Sequence, residues 1–377
     1  MELTQIAPLL NETIVPNLLG QETTIAEDLS NIVDLGTAIA DIDADAVKDY
    51  AKTFVAGVAR NWFDTRRYKK SDLGLYTDAR EFGGVVQRVK GGLLTAVDSP
   101  IWTLESGVDY NDGHYYGIDT DNKIYMKDTI FQVKNSIPSQ MFKQSFTSAD
   151  GVRELIALIE SRVDNTISLE IDGLARTVYA QMIANGNKVN LVSLYNSYAG
   201  LSGANALTAE TAINNHGFLR WSAQQIVRLR NLVTNFNKKY NDGTIETFTP
   251  REDLRVTLLD EFATSLMFNM ESDTFHNDLV SVGEYNTITY WQNSSEDLLP
   301  SLGTTAEVKT VVGEESPVTV SNCVGCLFDK YGAGITSRLE KVSAGYVPQG
   351  DFTNYFHHIA KCQFVDLRNT AVILTLN

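Results

Sequence analysis

The chain has 377 residues, too many for one compact core and suited to two or three lobes. Hydrophobic residues at 43% and aromatics at 10% supply real cores, and a charged fraction of 21% with only 8 prolines excludes global disorder. The net charge of −16 excludes a general polyanion-binding role. Three cysteines do not make a disulfide framework. No basic stretch leads into an apolar one at the start, and no run of about eighteen apolar residues occurs. The expectation is a chain without leader or membrane span, folded in a cytoplasm.

Residues 1–24 carry Pro8 and Pro16 without sustained periodicity and read as an extended arm. From Ile25 the pattern turns helical, with Ile25, Leu29, Ile32 and Val33 on one face. A second helix opens near Asp43 or Asp45 and carries Val47, Tyr50, Phe54 and Val58. The first 59 residues hold ten acids against Lys48 and Lys52. A basic cluster follows: Arg60, Arg66, Arg67, Lys69, Lys70, Arg80, Arg88 and Lys90. Two readings fit this pattern, a solvated surface of alternating charge or an acidic arm meeting a basic patch on a neighbouring subunit.

Residues 83–140 read as β-structure with a long excursion. Val85-Val86-Gln87-Arg88-Val89 is strand-like, and Gly91-Gly92 breaks it. The apolar runs at 101–104 and 124–126 then flank a polar tip at 109–122, which predicts a protruding hairpin. Asp119-Thr120-Asp121-Asn122 reads as turn chemistry in that tip. A hairpin with so little local core needs a partner surface.

The strongest element is a helix over 150–184. Val152, Ile156, Ile159, Val163, Ile167, Ile171, Leu174, Val178 and Met182 form one apolar stripe near the helical period. Asp150 is the expected N-cap and Asn185-Gly186 the expected stop. At 1.5 Å per residue such a rod is roughly 50 Å long, a spine under other elements.

Residues 187–345 are mixed. The pattern predicts a helix over 218–236, a turn at Asn241-Asp242-Gly243, a strand over 254–259 feeding a helix over 261–270, and a strand over 287–291. From Cys323 the order is strand, polar turn, strand, a Gly/Pro/Gln/Gly/Asp corner, a wet aromatic stretch and a terminal strand ending Ala371-Val372-Ile373-Leu374-Thr375-Leu376.

Candidate chemistry is sparse. Gly332-Ala333-Gly334 begins like a dinucleotide fingerprint but lacks the third glycine and a following long helix. No Walker-type phosphate loop, HExxH, serine elbow or defensible triad occurs. Asp41-Ile42-Asp43-Ala44-Asp45 starts like a calcium loop, but Ala46 stands where glycine is needed and Lys52 where glutamate is needed. Cys323-Val324-Gly325-Cys326 has metal or redox spacing, with Cys362, His357 and His358 the nearest further ligands. Its placement inside a strand-like run favours a structural pair. The reading names no catalytic, cofactor-binding or metal residue and no cofactor.

Three passages carry a resemblance. They are Ile137-Pro138-Ser139-Gln140-Met141-Phe142-Lys143-Gln144-Ser145-Phe146 before the long helix, Leu327-Phe328-Asp329-Lys330-Tyr331-Gly332-Ala333-Gly334-Ile335, and Asp351-Phe352-Thr353-Asn354-Tyr355-Phe356 with Val365-Asp366-Leu367-Arg368-Asn369. With the order of elements they resemble the major capsid protein of tailed bacteriophages. The implied fold is α+β, the Hong Kong 97-type capsid fold. Its layout is an N-terminal arm and helices at 1–92, an extended loop at 93–140, a peripheral domain with the spine helix at 141–188, an axial domain at 189–345 and peripheral return strands at 346–377. The terminal strand is then expected in the peripheral sheet, beneath the spine helix.

The resemblance implies a non-enzymatic head protein that self-assembles as hexamers and pentamers of an icosahedral shell. Such a shell encloses double-stranded DNA without sequence-specific binding. A scaffolding protein and a portal are implied partners, and no membrane is. The implied location is the virion, after assembly in the host bacterial cytoplasm. Two other readings stand beside it: an encapsulin-type nanocompartment shell, and a metal or redox enzyme using Cys323, Cys326 and His357.

Overall fold

The computed structural model describes residues 73–79, 86–94, 96–110, 113, 115, 117, 120–125, 128–139, 149–271, 284–292, 305–310 and 317–377. The expected arm, the helices of the first 63 residues, the calcium-like Asp41 run and most of the basic cluster lie outside the described residues.

Two larger sheets share one long helix. The first has the order β1 (Tyr76–Ala79), β11 (Ala333–Val347), β12 (Phe352–Val365), β4 (Asp128–Pro138). β11 and β12 are an antiparallel hairpin, and β4 continues the antiparallel pairing. The corner between β11 and β12 is a short 3-10 turn over Pro348–Gly350 closed by Asp351 in the left-handed region, φ 48°. Ser139 and Tyr346 both donate to Asp351 Oδ1, at 2.8 and 2.9 Å, which pins the corner to the end of β4. Along β12 the residues Thr353, Tyr355, His357 and Ile359 are buried, whereas Asn354, Phe356 and His358 are only partly covered. That alternation marks a strand with one covered face.

The second sheet has the order β5 (Asn187–Asn190), β13 (Ala371–Thr375), β10 (Cys323–Asp329), β6 (Leu254–Leu259), β7 (Asn286–Ile288). β13 runs parallel to β5 and antiparallel to β10. Every residue of β10 and β13 is buried, as expected of central strands covered on both faces. Two ribbons complete the strands: β2 (Val86–Gly91) with β3 (Thr120–Tyr125), and β8 (Val308–Thr310) with β9 (Val318–Val320).

Helix α1 (Ala149–Asn185) is the predicted spine. Its 37 residues span about 55 Å. Val163, Ile167 and Ile171 pack with Val133, Phe131 and Ile359 of the four-stranded sheet. Farther along, Val178, Tyr179, Met182 and Ile183 belong to the core built on the five-stranded sheet. One apolar stripe thus serves two cores. The helix begins at Ala149, so Asp150 lies within its first turn instead of capping it. It stops at Gly186, whose N–H donates to Met182 O at 2.7 Å.

Among the described residues the other helices are α2 (Leu191–Ala199), α3 (Ala209–Ala212), α4 (His216–Leu232) and α5 (Asp260–Glu271). Helix α4 ends before the expected Phe236. Thr234 Oγ1 and Asn235 Nδ2 turn back to Asn231 O, at 2.7 and 3.2 Å, and lead the chain out. The strand expected over 287–291 is shorter, because Trp291 leaves the sheet and donates its Nε1 to Cys323 O at 2.8 Å.

Two further expectations need correction. The apolar run at 101–104 is not a strand, since Pro100–Trp102 forms a 3-10 turn. The terminal strand pairs with β10 and β5, not with β12, so residues 346–377 divide between the two sheets. Gly325 marks how closely these strands approach. A Cβ there would stand 2.7 Å from Leu258 Cδ2 and 3.3 Å from Leu374 Cδ1, so a side-chain-free position lets β6, β10 and β13 close.

Candidate assembly interface

The β2–β3 ribbon pairs Val86 with Tyr125 at its base and Gly91 with Thr120 at its far end. Between them the chain makes an excursion over 92–119. Its apolar side chains face outward: Trp102 is 92% exposed, Tyr115 87% and Val97 83%, with Leu93, Leu94, Ile101 and Leu104 also exposed. Contiguous large apolar side chains held in water mark an interaction surface. The local order is polar. Gly107 sits at φ 93°, Val108 N donates to Glu105 O at 3.4 Å, and Glu105 N donates to Tyr110 Oη at 3.1 Å.

This ribbon is held from the side, along the half nearer the excursion, by the turn between β12 and β13. The Arg368 side chain is fully buried there. Its Nε donates to Asp366 Oδ1 at 2.8 Å and its Nη2 to Asp366 Oδ2 at 2.9 Å, a bidentate fork. The same guanidinium reaches both hairpin strands. Nη2 donates to Arg88 O at 3.1 Å, and Nη1 donates to Asp121 O at 2.9 Å while lying 3.3 Å from Asp121 Oδ2. Arg88 Nη1 returns to Asp366 Oδ2 at 3.4 Å, and its guanidinium lies over the Phe364 ring. Lys90 Nζ donates to Asn369 Oδ1, and Lys123 Nζ to Asp242 Oδ2 at 2.9 Å. Asp242 N in turn donates to Leu367 O at 2.8 Å.

The charges follow from this geometry. Burial alone raises the Asp366 carboxyl, but the hydrogen bonds and charge of Arg368, then Lys90 and Arg88, hold it below the usual carboxylate range. The Arg368 guanidinium is held above its ordinary value, first by its hydrogen bonds to Asp366. Burial lowers the Lys90 ammonium, with Asp366 and Asp329 opposing. Removing one partner of such a buried pair typically costs about 3–5 kcal/mol, because the other charge is left without compensation.

The structure relocates several sequence features. Asp121 lies in β3 opposite Lys90, one pair from the far end of the ribbon, not in a turn at the tip. Arg88 and Lys90, the described members of the basic cluster, face the chain's own Asp366 and Asn369. Gly334 serves packing: a Cβ there would lie 2.9 Å from the Phe364 ring, beside β1. The Val365–Asn369 passage was legible as a motif, but its role was not.

The cysteine and histidine candidates are not brought into a metal site. Cys323 and Cys326 are buried free thiols in the five-stranded sheet. Burial first, then the neighbouring Cys323, pushes the Cys326 thiol well up. His357 and Cys362 lie in β12 of the other sheet. Desolvation, then His358, pushes His357 down to about 4. Among the described residues no group of three or more His, Cys, Asp or Glu could hold a metal ion, and no helix is long and apolar enough to cross a membrane.

Comparison with curated proteins gave no match. Among solved structures, the capsid of Staphylococcus phage Andhra is similar, with a TM-score of 0.54 and 9% identity, covering 82% of this chain and 84% of that one. A chain in the structure of the head fibre and inner core protein gp22 of native bacteriophage P68 is similar too, with a TM-score of 0.50 and 10% identity, covering 81% and 83%. At such identities the likeness concerns the fold, and it agrees with a Hong Kong 97-type capsid fold. The family model for the Phi29-like phage major capsid protein matches residues 12–375. With its spine helix, its two sheets and an apolar hairpin presented outward, the chain belongs to the Phi29-like phage major capsid protein family.

Proposed function

We propose that this shell protein builds hexamers and pentamers of an icosahedral head around double-stranded DNA, and that the 92–119 excursion is its principal contact with neighbouring copies. The exposure of Trp102, Tyr115 and Val97 carries the reading. Among the described residues, none in the excursion buries them, and a second copy supplies the missing cover. The assigned layout is an arm at 1–92, an extended loop at 93–140, a peripheral domain around α1 and the β11–β12 hairpin, and an axial domain around the five-stranded sheet. A scaffolding protein and a portal join during assembly in the host cytoplasm, and the protein carries no catalytic activity. The net charge of −16 keeps nonspecific phosphate binding weak, which suits a wall along which DNA slides.

Sedimentation and electron microscopy of the expressed protein test this. Closed shells or capsomers are the expected products, and Trp102→Asp is expected to reduce them. Single subunits that persist alongside a scaffolding protein would count heavily against the proposal.

A further inference from the structure

We propose that Arg368 is a positioning residue for assembly, which sets the direction in which the 92–119 excursion leaves the subunit. The inference rests on the reading of that excursion as an assembly surface.

A two-stranded ribbon does not hold a direction by itself, because such a hairpin is marginal in water. The β2–β3 ribbon has six residues in each strand. Its orientation therefore depends on what grips it from the side. The grip is concentrated on one side chain. Arg368 donates to a carbonyl on each strand, Arg88 O and Asp121 O, while Asp366 fixes the guanidinium plane through both carboxylate oxygens. A planar fork with three directed partners fixes angle as well as distance, which a point charge does not. The anchor side is rigid. Asn369 N donates to Asp366 O at 3.2 Å, Asp366 N donates to Gly332 O at 2.6 Å, and the next strand enters the five-stranded core at Ala371. The other ties to the ribbon are more exposed: the Arg88 side chain, paired with Asp366 and stacked on the Phe364 ring, is 23% exposed. In the Lys123–Asp242 pair, for instance, the lysine side chain is 41% exposed.

Hydrogen exchange on the soluble subunit separates positioning from general stability. Arg368→Met is expected to raise exchange in 86–91 and 120–125 roughly tenfold more than in β10 and β13, whose own rise reports the general loss of stability. Arg368→Lys keeps the charge without the fork and is expected to restore the ribbon only partly. Asp121→Ala leaves the Arg368–Asp366 pair intact and serves where Arg368→Met fails to fold, with a rise of roughly threefold in the ribbon alone. The same variants are expected to yield fewer or misshapen particles in the electron microscope.

Equal rises in ribbon and core, or none in the ribbon, overturn the positioning role. So does full restoration of the ribbon by lysine, or a loosened ribbon with particles of wild-type number and shape. Trp102→Asp is the separate control. If it leaves association intact, the assembly-surface reading fails whatever Arg368 does.

Discussion

Gly186 is where the spine helix hands the chain to the five-stranded sheet, and its lack of a side chain is a quantitative requirement. A Cβ there would lie 2.7 Å from Met182 O and 2.8 Å from Ile373 Cγ1, with Ile373 Cδ1 at 3.1 Å. The first contact is with backbone of the last helical turn, and the second is with a fully buried core residue of β13. Neither neighbour can swing aside. Gly186→Ala is therefore expected to destabilise the subunit by about 1–3 kcal/mol, the usual cost of overpacking. Ile373→Ala alone removes a buried side chain and costs about 2–5 kcal/mol. Combined, the two changes remove the side-chain half of the clash while the backbone half remains. The double variant should then be more stable than the sum of the singles by about 1 kcal/mol. Denaturant unfolding of the four proteins, with equal slopes as the check on two-state behaviour, measures the coupling. A Gly186→Ala variant within about 0.5 kcal/mol of wild type, or strict additivity, would refute the packing argument.

Four further expectations follow from the structure. His357 binds its proton near pH 4 when folded and near 6.5 when unfolded, so the unfolded state takes up more protons between those values; stability is full above about pH 6.5 and falls toward pH 4 by on the order of 3 kcal/mol. A His357→Gln variant should flatten that slope in unfolding measured at several pH values, and an unchanged slope would show the histidine is not its source. Asp366 and Glu340, both held low, add stability that is present above the ordinary carboxylate range and lost as pH falls through their folded values. Cys323, Cys326 and Cys362 should resist thiol reagents in the native protein and react only on unfolding, and metal analysis should find no stoichiometric zinc; chelator-sensitive stability would contradict this. Deletion of residues 365–377 removes both Arg368 and a central strand, so folding and assembly should fail together, and a soluble, shell-forming truncation would overturn the assignment.

What the sequence made legible was local. The α1 stripe could be read because Val163, Ile167, Ile171, Val178 and Met182 repeat at the helical period, and they are the residues found buried. The β-branched and aliphatic run Leu254-Arg255-Val256-Thr257-Leu258-Leu259 likewise became β6. Partner choice was not legible. β13 is apolar on both faces, so its pattern states that it is central but not between which neighbours. The run at 101–104 resembled a strand because it is apolar, yet its side chains are exposed and it folds as a turn. The Arg368 clamp could not be read at all, because its partners Asp121 and Arg88 are 247 and 280 residues away in the chain. Only a charged Asp-Leu-Arg triplet just before a wholly apolar strand hinted that a buried charge pair was needed there.

The sharing of α1 between two cores has a mechanical consequence. A rod held by one sheet at Val163–Ile171 and by the other at Val178–Ile183 is a lever: the two grips centre roughly 20 Å apart, so a tilt of about 5° in one core moves the other grip by about 2 Å. Helices resist bending far better than loops do, so such a tilt is transmitted instead of being absorbed midway. A change in the seating of α1 against one sheet is thereby felt, over that short distance, in the packing of the other.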